Sequence, residues 1–310
     1  MSVHSKRPAV PPLPAIFVGI LAVSTASIFI RYALQYAPAL VVAAYRLVLA
    51  ALFLTPIALF RYRAELAGLS KKEVLLALFS GFFLAIHFAV WITSLEYTTV
   101  ASSVVLVTTT PLFVALMAPI FLKEKLTRPV LLGMVMALAG GIVVGLSDTC
   151  SWQAGRLVCP PLSEFIREKA FLGDLLALAG AAAASCYVMI GRRLRARMSL
   201  VSYIFLVYGM AAVLLVVIMF SAGETPVNYP APAYLWFLLV ALVPQLIGHT
   251  TFNWALGYLS AAFVSITLLG EPIGSTILAV ILLNETPGVV KILGAALILA
   301  GIYAVARGEK

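Results

Sequence analysis

The sequence predicts an all-α integral membrane protein with ten transmembrane helices, arranged as two inverted repeats of five helices each. Three observations predict this fold: an apolar composition, a series of long apolar runs, and an internal repeat. Of the 310 residues, 63% are hydrophobic and 11% are charged, whereas charged residues make up about 25% of a typical soluble domain. The composition therefore excludes a soluble globular fold.

Apolar runs of roughly 19 to 24 residues recur along the chain, and each is long enough to cross about 30 Å of hydrocarbon as a helix. We place ten helices at residues 14–36, 38–60, 73–94, 98–121, 128–147, 172–190, 200–221, 234–255, 259–282 and 287–306. The first run follows Lys6 and Arg7 but has no clear small-residue cleavage site. We therefore interpret it as an uncleaved helix rather than a signal peptide.

The net charge of +9 indicates topology rather than nucleic-acid binding. Lys and Arg are spread between the apolar runs, whereas a nucleic-acid-binding protein clusters them on one face. Basic residues concentrate in the cytoplasmic loops of membrane proteins, and a cytoplasmic N-terminus places most of them inside. We expect a multi-pass protein of the cytoplasmic (inner) membrane of a prokaryote, with both termini in the cytoplasm.

This topology divides the chain into five parts. We predict cytoplasmic tails at residues 1–12 and 307–310, five-helix repeats at 13–147 and 172–306, and an external loop at 148–171. The loop contains Cys150 and Cys159. In an oxidising compartment these two cysteines favour a disulfide, and the alternative is two free thiols.

A shift of 161 residues aligns the third to fifth helices with the eighth to tenth without a gap. The shift pairs Pro111 with Pro272 and Glu124 with Glu285, so polar and proline positions match as well as apolar ones. Because five is an odd number of helices, the second repeat enters the membrane from the opposite side. Inverted repeats are the usual scaffold of secondary transporters, whose halves alternate around a central site.

Two segments of this repeat carry its clearest motifs. Residues 94–144 read SLEYTTVASSVVLVTTTPLFVALMAPIFLKEKLTRPVLLGMVMALAGGIVV, and residues 255–305 read ALGYLSAAFVSITLLGEPIGSTILAVILLNETPGVVKILGAALILAGIYAV. Both resemble repeats of the EamA family within the drug/metabolite transporter (DMT) superfamily, and the resemblance covers nearly the whole chain. It implies a ten-helix transporter of metabolites such as amino acids, nucleosides or vitamins.

Ionisable side chains inside a bilayer are costly, so each is a candidate functional residue. Arg46 in the second predicted helix and Glu271 near the middle of the ninth both approach the midplane. One interpretation is a pair that only holds two helices together. The other is a substrate site, in which Glu271 takes up a proton or contacts an amine and Arg46 contacts a carboxylate or balances Glu271.

Two histidines stand one residue out of repeat register. His87 in the third helix and His249 in the eighth are predicted at mirrored depths, one toward each face of the membrane, with Trp91 and Trp254 nearby. A histidine can change charge near neutral pH and an aromatic ring can stack on a substrate, so these residues suit the two ends of a cavity. The alternative is a neutral, hydrogen-bonded histidine and an interfacial tryptophan.

Pro111 and Pro272 lie inside predicted helices, where each removes a backbone hydrogen bond and bends the helix. Hydroxyls such as that of Thr109, next to carbonyls freed by a kink, suit an irregular binding or gating segment. Kinks that only improve packing are the alternative. Gln245 and Asn253 add further polar groups to the eighth helix and complete the predicted substrate-binding set.

The remaining patterns predict structure rather than binding. Glu124 and Glu285 fall at helix ends, where solvation is the better interpretation. Gly141 and Gly145 have small-xxx-small spacing, which allows close helix packing within one chain or in a homodimer.

The sequence predicts no enzyme, cofactor or metal site. It has no G-x-x-x-x-G-K-[ST] loop that would indicate ATP use and no H-E-x-x-H. We expect alternating-access transport of a small polar metabolite, with an amino acid or similar zwitterion favoured and protons as a candidate coupling ion. Nucleosides, vitamins or other metabolites are the alternatives, and an intramembrane enzyme or a non-transporting membrane protein is a remote one.

Overall fold

The computed structural model confirms an all-α membrane protein. It describes residues 10–121, 128–149, 151–153, 156–158, 168–259, 261, 264, 267–268 and 270–308. Within these residues, seven helices are long and apolar enough to cross a membrane, and three shorter apolar helices complete a set of ten. We number these spans in chain order. The predicted disulfide partners Cys150 and Cys159, together with Glu124, lie outside the described residues.

The first half contains spans 1 to 5. These comprise Pro12–Ser24 with Ala26–Ala33, Ala39–Arg61, Lys71–Tyr97, Val100–Val107 with Thr110–Phe121, and Arg128–Thr149. Spans 6 to 10 comprise Lys169–Arg195, Leu200–Ser221, Ala231–Ala255, Gly270–Leu283 and Val289–Gly308, and the middle of span 8 is a π-helix, Ala241–His249. A short helix, Arg63–Ala67, follows span 2, and antiparallel strands Ser151–Gln153 and Arg156–Val158 follow span 5.

The two halves are interleaved rather than side by side. Span 6 packs along span 3, span 7 packs against spans 2 and 3, and span 1 packs against spans 8 and 9. Gly19 of span 1 and its repeat mate Gly180 of span 6 show the symmetry, because a Cβ on Gly19 would lie 3.1 Å from Thr251 of span 8 and one on Gly180 would lie 3.3 Å from Trp91 of span 3. Repeat-related spans therefore make repeat-related contacts.

Spans 5 and 10 pack against each other through two glycine pairs. A Cβ on Gly140 would lie 2.6 Å from the carbonyl oxygen of Gly294, and a Cβ on Gly301 would lie 2.5 Å from that of Gly133. The repeat relates Gly133 to Gly294 and Gly140 to Gly301, so the two contacts are symmetric. Gly141 of the predicted small-xxx-small pair is not part of this crossing, because among the described residues a Cβ there would meet only Leu106, at 3.7 Å.

Two arginines make the same bond at opposite ends of the bundle. Arg31 Nη1 donates to the carbonyl oxygen of Leu95 at 2.7 Å, and its repeat mate Arg192 donates from Nη1 to that of Leu256, the mate of Leu95, at 2.8 Å. We name the two ends of the bundle after these residues. The Arg31 end holds the turn between spans 3 and 4, and the Arg192 end holds the turn between spans 6 and 7.

Glu285 is not the solvated helix end that its position predicts. Its Oε1 lies 2.7 Å from Arg31 Nη2, and its Oε2 accepts a hydrogen bond of 2.9 Å from the backbone N–H of Val100. The side chains of Arg31 and Glu285 are 26% and 24% exposed. The tertiary fold brings span 1 and the start of span 4 to the end of span 9, which sequence position alone does not reveal.

The glycine crossing yields a test of the fold. Gly140→Ala is expected to lower the melting temperature of the purified protein, because the new methyl group displaces the backbone of span 10 and overpacking costs about 1–3 kcal/mol. Gly141→Ala is the matched control, since its Cβ would lie at an ordinary van der Waals distance from Leu106. The measurement is thermal unfolding in detergent, and equal melting temperatures for the two variants would contradict the crossing.

Candidate functional site

A cavity of about 60 Å³ lies at the centre of the bundle, between spans 3, 4, 6, 8 and 9. Its lining residues are His87, Trp91, Val107, Thr108, Thr110, Ala184, Tyr187, Val188, His249, Phe252, Asn253, Leu256, Val264, Leu268 and Glu271. Five of the predicted substrate-binding residues are in this set, contributed by spans 3, 8 and 9. The fold thus gathers polar side chains from both halves around one point, as the inverted repeat predicts.

Arg46 is completely buried in span 2, immediately behind the cavity wall. Its Nε donates to Gln245 Oε1 at 2.7 Å, and its guanidinium carbon lies 4.0 Å from the centroid of the Phe88 ring and 5.8 Å from that of Trp91. A buried charge is retained only where hydrogen bonds and polarisable groups compensate for its lost hydration. Gln245 and the two rings supply part of that compensation.

The compensation is incomplete, because four donor atoms near Arg46 have no hydrogen-bond partner among the described residues. They are Nη1 and Nη2 of Arg46, Nε1 of Trp91 and Nε2 of Gln245. All four are buried and can only donate. A cluster of unused donors around a buried cation is a site that lacks an acceptor, and an anionic oxygen group on a ligand would supply one.

Gln245 reaches Arg46 from an irregular segment. It lies in the nine-residue π-helix Ala241–His249 of span 8, directly after Pro244. π-helical turns are rare and occur often at functional sites. Proline at this position lacks the N–H that a continuous α-helix would use. Gln245 is among the predicted residues and Pro244 is not, although a proline inside a predicted helix indicates an irregular segment.

A second polar network joins spans 6, 7 and 8 beside the cavity. Tyr187 donates to Asn253 Oδ1 at 2.6 Å, Asn253 Nδ2 donates to the Tyr208 hydroxyl at 3.1 Å, and that hydroxyl lies 3.3 Å from Thr250 Oγ1. Both tyrosines are buried. Tyr187 and Tyr208 are not among the predicted residues, because a tyrosine in an apolar helix resembles any other large packing residue. Only the tertiary structure shows the hydrogen-bond partners of their hydroxyl groups.

His87 and His249 line the same cavity rather than opposite ends of one. Their ring centroids are 6.4 Å apart, and His87 Nδ1 lies 2.9 Å from the carbonyl oxygen of Gly180. The expectation of separate ends fails because His87 is only three residues from the middle of Lys71–Tyr97, about 4.5 Å along the axis. The ring of Trp91 is nearly parallel to that of His87, at 5.8 Å.

Glu271 lines the cavity but does not pair directly with Arg46. Both residues are described, and the free nitrogens of Arg46 show that no hydrogen bond joins the two side chains in this conformation. The helix of span 9 begins at Gly270, so Pro272 lies in its first turn, where a proline is tolerated. A carboxyl group on the cavity and a guanidinium behind its wall thus lie in the same region without a hydrogen bond between them.

Span 4 is interrupted just before Pro111. One helix ends at Val107 and the next begins at Thr110, as expected for residues that precede a proline. The interruption splits the three threonines, because Thr108 and Thr110 line the central cavity whereas Thr109 lines a separate apolar groove of about 700 Å³ between spans 4, 5 and 6.

Trp254 also lies away from the cavity lining, and its ring packs against Tyr258 with centroids 5.1 Å apart. It was predicted from its sequence distance to His249, but a helical step of five residues points the two side chains in different directions. The described geometry therefore brings together Arg46, His87, Trp91, Gln245, His249, Asn253 and Glu271, and leaves Thr109 and Trp254 outside this group.

Replacing Gln245 tests the arrangement around Arg46. Gln245→Leu is expected to lower thermal stability, because Arg46 Nε becomes a further unpaired buried donor and each such group costs about 1–3 kcal/mol. Gln35→Leu, at an exposed position, is the control and is expected to unfold like the parent. Unfolding of the Gln245→Leu protein at the parental temperature would show that the hydrogen bond between Arg46 and Gln245 contributes nothing to stability.

Comparison with known proteins identifies the family and supports the fold. A family model described as the EamA-like transporter family matches residues 12–146 and 171–307. An uncharacterized transporter of Archaeoglobus fulgidus is 22% identical over 211 residues, which are 68% of this chain and 68% of that protein. A protein crystal structure matches 94% of this chain and 95% of its own with a TM-score of 0.63 and 20% identity, a likeness of fold. This chain belongs to the EamA-like transporter family.

Proposed function

We propose that this transporter moves an amino acid or a similar zwitterion across the cytoplasmic membrane by alternating access. The observation that carries the proposal is the buried guanidinium of Arg46, with two nitrogens that have no hydrogen-bond partner among the described residues. An arginine fork matches the two oxygens of a carboxylate. The substrate carboxylate would then supply the acceptor that the site lacks.

The neighbouring donors favour a carboxylate over a neutral oxygen. Trp91 Nε1 and Gln245 Nε2 are also unpaired, and all these donors are buried. A carboxylate accepts about four hydrogen bonds, so a single group could satisfy the cluster once Trp91 and Phe88 shift to admit it.

The second half of a zwitterion is matched by Glu271. Its carboxylate lines the central cavity and is not bonded to Arg46, so it is available for an ammonium group. The parallel rings of His87 and Trp91 form an aromatic wall beside it. The same wall favours the second candidate, a nucleoside or vitamin with a planar ring, because stacking on such rings does not require a carboxylate.

The cavity is too small to hold an amino acid in this conformation. At about 60 Å³ it has room for a few water molecules at most. Entry of a substrate therefore requires the surrounding spans to move apart. Alternating access provides such a movement, because the two inverted halves can separate first at one end and then at the other.

Arg46→Met tests the proposed carboxylate contact. Amino acids are expected to raise the melting temperature of the parent protein and to lose this effect in the variant, because removing one partner of a buried charge pair costs about 2–5 kcal/mol. Arg63→Met, which changes an exposed arginine, is the control. A library screen by thermal shift, followed by counterflow in liposomes, identifies the cargo.

Amino-acid amides, which lack the carboxylate, are expected not to stabilise the parent. Stabilisation of parent and Arg46→Met by the same ligands to the same degree would contradict the proposed contact. Stabilisation by nucleosides or planar vitamins alone would favour the second candidate.

A homodimer is a separate expectation from the sequence and is checked by the mass of the purified particle.

Coupling to protons is assigned to Glu271 in this proposal. Glu271→Gln keeps the shape of the side chain but cannot carry a proton, so we expect uptake driven by a pH gradient to be lost while counterflow at equal pH survives. The measurement is both assays on the same liposomes. Gradient-driven uptake at the parental rate in Glu271→Gln would exclude Glu271 as the proton carrier.

A further inference from the structure

The central part of the cavity obeys the repeat symmetry. Trp91 and Phe252 are repeat mates, as are Thr110 and Glu271, and each of these residues lines the cavity. Val107 and its mate Leu268 also line it. The middle of the site therefore draws on matching positions of both halves, so its two ends can be compared position by position.

Away from the centre the symmetry is broken. The cavity extends toward the Arg192 end along Ala184, Tyr187, Val188, Leu256 and Val264. Their mates Val23, Ala26, Ser27, Leu95 and Ser103 do not line it and are each at most 1% exposed. The central cavity is therefore closed off from the Arg31 end, and it reaches toward the other end.

A contact between the two halves lies at the closed end. Arg31 and Arg192 make matching bonds to Leu95 and Leu256, and Arg31 also forms an ion pair with Glu285 of the second half. Arg31 is therefore tied across the two halves at the closed end.

Other bonds across the halves surround this ion pair. Glu285 Oε2 accepts from the backbone N–H of Val100 at 2.9 Å, and the Tyr32 hydroxyl donates to the carbonyl oxygen of Leu282 at 3.0 Å. Within the first half, Arg31 Nη2 also donates to the carbonyl oxygen of Thr98 at 3.2 Å. Arg31 and Glu285 thus join the end of span 1, the turn between spans 3 and 4, and the end of span 9.

We propose that the Arg31–Glu285 ion pair is a latch that holds the Arg31 end closed and must break before the cavity opens there. The latch rests on the alternating-access mechanism proposed above, but not on the identity of the cargo. Ion pairs that are only a quarter exposed and are backed by hydrogen bonds to the backbone are stronger than solvated ones. Breaking this one releases three spans together.

Cysteine labelling without substrate tests the latch. In a chain in which Cys150, Cys159 and Cys186 are replaced, Ser27→Cys reports on the closed end and its repeat mate Val188→Cys reports on the cavity. The latch leaves only the Arg192 end free to open, so we expect a small water-soluble methanethiosulfonate to label Val188→Cys when that end opens and to spare Ser27→Cys in the latched protein. Ser27 suits this use because its hydroxyl has no hydrogen-bond partner among the described residues.

Breaking the latch is expected to change the labelling rates of the two reporters in opposite directions. Arg31→Ala should raise the labelling rate of Ser27→Cys about tenfold or more, the shift expected from losing one charge-assisted hydrogen bond, and should slow that of Val188→Cys. Glu285→Gln, which keeps the side-chain volume, should do the same and serves if Arg31→Ala fails to fold. Arg192→Ala, the matched control, should not expose Ser27→Cys.

Unchanged labelling of Ser27→Cys in both latch variants would overturn the proposal. Faster labelling of both reporters together would also overturn it, because that pattern indicates a loosened fold rather than a switch between two ends. Reciprocal labelling in a protein that binds no amino acid would contradict the proposed cargo and leave the latch standing. Amino-acid exchange with unchanged labelling would support the proposed cargo and contradict the latch.

Discussion

The buried guanidinium of Arg46 is the constraint on which the centre of this molecule depends. A charged side chain at the middle of a bilayer costs at least about 2.5–3.5 kcal/mol, so the surrounding spans must meet where they can compensate for it. Gln245 accepts from Nε, and the faces of Phe88 and Trp91 lie against the cation. Since Nη1 and Nη2 have no partner in the described part of the chain, this compensation is incomplete.

The inverted repeat makes this central site possible and also makes its two ends comparable. Because the halves interleave, repeat mates such as Thr110 and Glu271 meet at the cavity from opposite sides of the pseudo-symmetry axis. The glycine pairs between spans 5 and 10 obey the same symmetry. These contacts that obey the symmetry belong to the scaffold that the two halves share.

Sequence reasoning succeeded with residues whose cost in a membrane is large. Arg46, Glu271 and Gln245 stand out because a charge or amide in an apolar run needs a reason, and the structure places all three at or beside the cavity. It failed where the direction of a side chain around its helix decides what that side chain contacts. Thr109 and Trp254 belong to the right segments but lie outside the central group, since one residue along a helix rotates a side chain by about 100°.

The sequence by itself determined the membrane fold, the number of spans and their inverted pairing, because hydropathy, span length and the 161-residue register are properties of the chain read in order. Only the tertiary structure decided which polar groups meet. The bond from Arg46 to Gln245 joins residues 199 positions apart, and that from Arg31 to Glu285 joins residues 254 positions apart. Such pairs depend on how ten helices pack and rotate against one another, and no local pattern encodes that.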